Sequence, residues 1–191
     1  LIEEDPKDSQ KHYLNSLKFS GNYLLTFINE ILEINRIESN NIEVERIDFN
    51  LKDLLFNIQN SLNELAKINN NNFILDIDPK VPEAVISDPT KLSQIFINLI
   101  NNALKFTKNG KVSIGASVVK TENDISTVHF EISDTGIGIP IEKQSSIFES
   151  FSQGSVEINR KYGGTGLGLA IVKRLVSLLG GEIQLVSSQG I

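Results

Sequence analysis

Apolar positions along this chain follow two periods, and the switches between them outline its elements. From about Ser9 to Glu38, Leu14, Leu17, Gly21, Leu24, Ile28 and Ile31 recur in steps of three and four. That spacing predicts a long helix with a heptad seam. Leu25, Phe27, Leu32 and Ile34 widen the apolar face towards a helical bundle. A lone helix this apolar is unstable in water, so partner helices from a second chain are expected; the rival reading packs it on its own domain. Ser39-Asn40-Asn41 ends it.

Period two then takes over from Ile42 to Phe49 (Ile42, Val44, Ile47, Phe49), predicting a strand. Leu51 to Ile68 returns to helical spacing. The Asn69 to Asn72 run is a loop, and Phe73 to Ile77 a strand. Pro79 and Pro82 precede a short strand at Ala84-Val85-Ile86. Asp88-Pro89 matches a helix N-cap followed by Pro at the first helical position, a structural role for Asp88. The helix it opens runs to about Phe106 and buries Leu92, Ile95, Phe96, Leu99, Ile100 and Leu104. Lys111 to Lys120 and Ile125 to Asp134 form a hairpin. A short helical piece at Glu142 to Phe148, a polar loop from Ser152 to Tyr162, a closing helix and a last strand at Glu182 to Val186 complete the order. The implied fold class is α+β, a sandwich with helices on one face of a mixed sheet.

Three polar clusters interrupt these patterns. Asn98, Asn102 and Lys105 are spaced by four and three, so they share one helix face. Asn is a poor helix-interior residue because its amide competes for backbone hydrogen bonds, so two on one face suggest a bound group. An amide oxygen suits Mg²⁺, and a Lys one turn on suits phosphate; the bland reading is a solvated polar face. Asp134-Thr135-Gly136-Ile137-Gly138 closes the second hairpin strand. A carboxylate there can accept from an exocyclic amine such as adenine's, with glycines letting backbone pass close to a flat ring; Asp-Thr-Gly is also an ordinary turn. Finally, Tyr162 to Val172 runs a glycine-rich loop straight into an amphipathic helix carrying Leu169, Ile171, Val172, Leu175, Val176 and Leu179. Unpaired N–H groups at such a helix start favour phosphate. The chain contains no G-x-x-x-x-G-K-[ST], and Gly164-x-Gly166-x-Gly168 does not match G-x-G-x-x-G, so both common nucleotide folds are disfavoured.

Composition narrows the classes. The chain has 191 residues, 40% hydrophobic and 22% charged, as in ordinary globular proteins. A net charge of −6 argues against a general nucleic-acid or acidic-membrane footprint. With no Cys, disulfides and thiolate metal sites are excluded. No apolar run approaches the ~20 residues of a membrane span. A start at Leu1 with no Met, and an end at Ser188 to Ile191 without closure, suggest a piece of a longer protein.

The clusters in order carry a resemblance. Asn98-Leu99-Ile100-Asn101-Asn102-Ala103-Leu104-Lys105-Phe106-Thr107 resembles the N box of sensor histidine kinases, Asp134 to Gly138 their G1 box, Ile147-Phe148-Glu149-Ser150-Phe151 their F box, and Gly164 to Leu169 their G2 box. The helix ending Ile31 to Glu38 is similar to the second helix of their dimerisation domain. The resemblance covers nearly the whole chain. It implies residues 1–40 as that second helix and 41–191 as a catalytic ATP-binding domain of the GHKL, or Bergerat, fold, with its closing strand cut short.

The resemblance also implies roles. Asp134 would hold the adenine amino group, with Gly136 and Gly138 shaping that wall. Asn102 would ligate Mg²⁺, Asn98 would sit beside the phosphates, and Lys105 would contact phosphate. Gly164, Gly166 and Gly168, with Thr165 and Leu167 between them, would cradle the β- and γ-phosphates; Arg160 and Lys161 would add charge. Phe148 and Phe151 would tether the intervening lid. The expected reaction is transfer of the ATP γ-phosphoryl group to a histidine, for relay to a response regulator receiver domain. The partners implied are a second copy through the N-terminal helix and that receiver, without nucleic acid or direct membrane contact. The location implied is the bacterial cytoplasm, the full-length protein being anchored at the inner membrane. The acceptor histidine is missing: His12 is followed by Tyr13, and His129 sits in a strand between Val128 and Phe130. The piece is therefore expected to bind ATP without phosphorylating itself. A GHKL-type ATPase is the rival reading, but such enzymes place a general-base Glu where this chain has Asn98. A non-catalytic ATP-binding signalling module is the other.

Overall fold

The computed structural model describes residues 7–39, 43–123, 125–151 and 165–189. The chain divides into two compact units, Leu1–Ile42 and Glu43–Ile191. The first is built on one helix, α1 (Asp8–Glu38), 31 residues long. Leu17, Leu24, Leu25, Ile28 and Leu32 all remain exposed along it, Leu17 at 68%.

The second unit runs β1 (Ile47–Asn50), α2 (Leu51–Ile68), β2 (Asn72–Ile77), β3 (Ala84–Ser87), α3 (Pro89–Phe106), β4 (Lys111–Glu122), β5 (Ile125–Asp134), a short α4 (Ile141–Gln144) and α5 (Gly168–Leu178). β2, β4 and β5 form one mixed sheet, β2 parallel and β5 antiparallel to the central β4. The parallel pair is joined through β3 and α3, as parallel strands require a long crossover. Alternation puts Phe73, Leu75 and Ile77, Val112, Ile114 and Ala116, and Val128, Phe130 and Ile132 on one face. Leu51, Leu55 and Ile58 of α2 and Phe96, Ile100, Ala103 and Leu104 of α3 cover that face. Phe96 and Phe130 meet edge-to-face with ring centroids 5.0 Å apart, the geometry their quadrupoles favour. α5 packs on α3 through Ala170, Ile171, Val172 and Leu175. The sandwich of helices on one face of a mixed sheet is the expected class.

Helix starts fall where the sequence puts them, but the piece expected at Glu142 to Phe148 is helical only over Ile141–Gln144 and continues as turns. The Asn50 side chain accepts from Asp53 N at the start of α2, and Asp88 does the same for Lys91 N at the start of α3. Asp88 is fully buried and also accepts from Glu45 N at 3.0 Å and from the Lys91 ammonium. That ammonium in turn donates to the Glu43 carbonyl. α5 ends at Gly180, whose φ of +76° suits the left-handed C-cap.

Two expected strands are corrected. The first begins at Ile47 rather than Ile42, which itself lies outside the described residues. Its partner β3 is only four residues long, from Ala84↔Asn50 to Ser87↔Ile47. Beyond Ser87 the chain turns into α3, and the polar groups of Glu43 and Glu45 go to Lys91 and Asp88 instead of a ladder. The second, Glu182 to Val186, forms no ladder among the described residues. Its burial still alternates, with Ile183 and Leu185 half-buried and Val186 98% exposed. Period two records one-sided burial of extended chain, which does not require backbone pairing. Nearby Ser187 ties in by side chain and carbonyl, accepting from Ile139 N and Gln144 Nε2.

Candidate functional site

Two of the three polar clusters meet on α3, which runs beneath the site like a spine. At its C-terminal end, Thr107 is fully buried and its Oγ1 donates to Asp134 Oδ1 at 3.4 Å. The same Oδ1 accepts from Gly136 N at 2.8 Å, closing a tight turn after β5. Asp134 itself is exposed, so its remaining oxygen lone pairs face solvent. Gly136 is required here: a Cβ would come within 2.6 Å of the Phe106 carbonyl and 2.9 Å of Thr107 Oγ1. Gly138 has φ +67° and no room beside the Ser188 backbone. Asp134 and Gly136 are thus bedded on the end of α3, while Gly138 lies against the Ser188 backbone.

Midway along α3, Asn98 reaches the second cluster. A methyl on Gly168 would stand 3.7 Å from Asn98 Oδ1, so the start of α5 and the Asn face are neighbours. Asn98, Asn101 and Asn102 are half-buried, and no side-chain hydrogen bond joins them to a described residue. At the head of α5, Thr165 Oγ1 accepts from Leu167 N, and Ile171 N returns to Leu167 O. The N–H groups of Gly168, Leu169 and Ala170 find no acceptor among the described residues. A cluster of N–H groups at the positive end of a helix suits an anion. Gly166 takes φ +75°, which lets its carbonyl accept from Phe151 N at 3.0 Å. The F and G2 boxes are therefore joined through backbone, and the Phe151 ring is 62% exposed; the lid that the rings were expected to tether lies outside the described residues.

Lys105 lies half-buried with Nζ 5.0 Å from the Phe106 ring centroid. Burial holds its pKa below the usual lysine range, because the charged form loses hydration. Arg160, Lys161 and Gly164 lie outside the described residues. His129 faces outward on the sheet, opposite the helices, beside Asp76, Asp78 and Glu131. His12 is exposed on α1. Thr107 and Asn71 escaped the sequence reading. Thr107 stood only as the last letter of a box, and Asn71 was hidden in an Asn-rich run read as a loop.

The chain's relatives match this arrangement. A family model described as histidine kinase-, DNA gyrase B-, and HSP90-like ATPase matches residues 87–191, more than half of the chain and all of the site above. The chain belongs to that family. Its match begins at Ser87, directly before the Asp88 cap.

Among curated relatives, hybrid signal transduction histidine kinase B of Dictyostelium discoideum is 37% identical over 192 residues, covering 100% of this chain and 10% of that protein. The histidine-protein kinase BarA of Escherichia coli K12 is 38% identical over 175 residues, 92% of this chain and 19% of BarA. The chain thus spans a tenth to a fifth of these relatives' length. Among solved structures, full-length ShkA in complex with AMPPNP aligns with TM-score 0.80 and 29% identity, over 94% of this chain and 36% of ShkA. ThkA in complex with the response regulator TrrA aligns with TM-score 0.67 and 27% identity, over 93% of this chain and 46% of that one. The homologues include slime-mould as well as bacterial kinases, so the bacterial source expected from the sequence does not follow.

Proposed function

We propose that this chain is the ATP-binding catalytic region of a sensor histidine kinase. It would transfer the γ-phosphoryl group of ATP to a histidine outside these 191 residues, for relay to an aspartate of a response regulator. The observation that carries the reading is the placement of two unlike sites along one helix. A carboxylate wall stands at Thr107, and helix-start N–H groups with no acceptor among the described residues stand at Asn98. Nine residues of α3 separate them, about 14 Å at 1.5 Å per residue. An extended nucleoside triphosphate has a base with an exocyclic amine at one end and anionic oxygens at the other. The two ends of this site ask for those groups.

In this reading Asp134 accepts from the adenine amino group, while Gly136 and Gly138 keep side chains off the base. The head of α5, from Thr165 to Gly168, holds the terminal phosphates, with Arg160, Lys161 and Gly164 assigned to the same end by resemblance. Lys105 adds positive charge; burial makes that charge harder to hold without a nearby anion. Among the described residues no group of three or more His, Cys, Asp or Glu is placed to hold a metal. A cation here would share Asn102 and phosphate oxygens, which is how Mg²⁺ is usually held. Bound Mg²⁺ would neutralise phosphate charge. The chain's own part is positioning and electrostatic stabilisation.

Asn98 favours transfer over hydrolysis, since an amide cannot take a proton from water at neutral pH. The exposed α1 stripe through Leu17, Leu24, Ile28 and Leu32 supports a homodimer joined through that helix. The ThkA–TrrA complex supports a receiver domain as partner. No described helix is long and apolar enough to cross a membrane; a cytoplasmic location belongs to the proposal. Residues 1–40 are assigned to the dimerisation domain and 41–191 to the catalytic one. Calorimetry with Mg-ATP tests the site: Asp134→Ala is expected to weaken binding about tenfold or more, the scale of one lost charge-assisted hydrogen bond. Unchanged affinity would remove Asp134 from the site.

A further inference from the structure

Asn71 is tied to the end of α3 and the loop after it by both polar atoms of its side chain. Its Nδ2 donates to the Thr107 carbonyl at 2.8 Å and to the Leu104 carbonyl at 3.3 Å. Its Oδ1 accepts from Gly110 N at 3.2 Å. Leu104 and Thr107 lie on the last turn of α3, whose carbonyls have no partner within the helix. One amide thus caps the helix and fixes both ends of the 107–110 loop.

That loop grips the wall from its other side. Thr107 Oγ1 donates to Asp134, and the Phe106 carbonyl lies against Gly136. Lys111 N donates to Thr135 Oγ1 at 2.9 Å, and Thr135 N returns to Lys111 O. A side chain on Gly110 would collide with both Thr107 and Thr135. The connection runs from Asn71 to the loop, and from the loop to Asp134. Asn71 touches neither Asp134 nor the head of α5.

We infer that Asn71 is a positioning residue for base recognition, setting the height and tilt of the Asp134–Gly136 turn through Thr107 and Gly110. This rests on the ATP reading above and deepens it, because it separates base selectivity from phosphate binding. Asn69 provides the comparison. Its Nδ2 also donates to the Leu104 carbonyl, at 3.0 Å, but no side-chain bond takes it to Thr107 or Gly110.

The test is calorimetry of the whole chain with Mg-ATP and, separately, Mg-GTP, whose base lacks an amine at the position Asp134 is assigned to read. The readout is the ratio of the two affinities. Asn71→Asp keeps the acceptor for Gly110 but turns a carboxylate towards two carbonyl oxygens. It is expected to lower the ATP-over-GTP ratio about fivefold or more, on the scale of one hydrogen bond, with GTP affinity held within about twofold. Asn71→Ser, which withdraws the donors without adding charge, should move the ratio the same way if the Asp variant fails to fold. Asn69→Ala should leave it where it is. A ratio unchanged in the Asn71 variants, an equal loss of both nucleotides, or an equal shift from Asn69→Ala would each overturn the inference. Failure of the unaltered chain to bind either nucleotide would instead overturn the ATP reading, and this inference with it.

Discussion

Replacing Asp88 is the sharpest test of how α3 is held, because three hydrogen bonds, one of them also an ion pair, converge on a carboxylate with no exposed surface. Desolvation alone would raise its pKa. Hydrogen bonds from the Lys91 ammonium, Lys91 N and Glu45 N outweigh that, so the carboxyl sits below its ordinary 3.8. Asp88→Asn keeps an N-cap acceptor of equal quality and nearly the same shape. It loses the charge opposite Lys91, whose side chain is only 14% exposed, and turns an amide NH2 towards Glu45 N–H, which loses its acceptor. The expected loss is about 1.5–3 kcal/mol, the range for hydrogen bonds to charged groups. Asp88→Ala also gives up the cap and the last oxygen beside a poorly solvated ammonium, which puts the loss at about 3–5 kcal/mol. Urea unfolding followed by far-ultraviolet circular dichroism measures both. The pH dependence carries a sign. A depressed carboxyl contributes stability above its unfolded pKa and loses it as pH falls through the folded one. The advantage over Asp88→Asn should therefore stay flat down to 3.8 and vanish only below it. Equal losses in the two variants, or an advantage already fading near neutral pH, would refute the assignment.

The remaining expectations concern the core, the site and the helix. Leu104→Ala, at a side chain with no exposed surface beneath the site, should cost about 2–5 kcal/mol in the same urea assay; a smaller loss would mean the core collapses around the gap. Gly136→Ala should abolish Mg-ATP binding in calorimetry, since its methyl meets the Phe106 carbonyl, a backbone atom that cannot step aside. Gly168→Ala makes only an ordinary contact with Asn98, so thermal stability should hold while ATP affinity falls; unaltered affinity would remove the head of α5 from the phosphate end. Leu24→Glu on α1 should shift sedimentation from dimer to monomer, and a wild-type chain that is monomeric at every concentration would end the homodimer proposal.

Much of this fold was legible because period and punctuation agreed. Asn50 and Asp88 marked helix starts, and α2 spans Leu51–Ile68 as its spacing predicts. The strands went astray only where burial and pairing part company. An extended segment with one dry face shows period two whether or not a neighbour offers a ladder, as at 182–186. The site was legible as residue types, since Asn in a helix and glycines before one are hard to explain otherwise. Its connections were not. Nothing in the letters says that Asn71 reaches Thr107, because the bond spans 36 residues and depends on where β2 leaves α2. The F box shows the same limit: nothing in its letters says that the backbone of Phe151 bonds to Gly166.

Those connections explain how α3 tolerates its own sequence. Asn98, Asn101 and Asn102 each sit in the helix interior, where Asn is less favourable than Ala by roughly 0.6 kcal/mol, about 2 kcal/mol together. None recovers this through a side-chain bond to a described residue. The compensation lies at the two ends. Asp88 caps the first turn, worth about 1 kcal/mol. Asn69 and Asn71 together take the Leu104 carbonyl, and Asn71 the Thr107 carbonyl, worth about another 1 kcal/mol or more. A helix secured only through its middle could not keep that middle polar and free of partners. Capped from outside at both termini, α3 can present on one surface three amides with no side-chain bond to a described residue and still hold a single register against the sheet. Replacing those amides with alanine would leave the caps intact and the helix stable, yet remove the polar face that meets Gly168. The ends therefore serve stability and the middle serves the ligand, and substitutions at the two should separate accordingly.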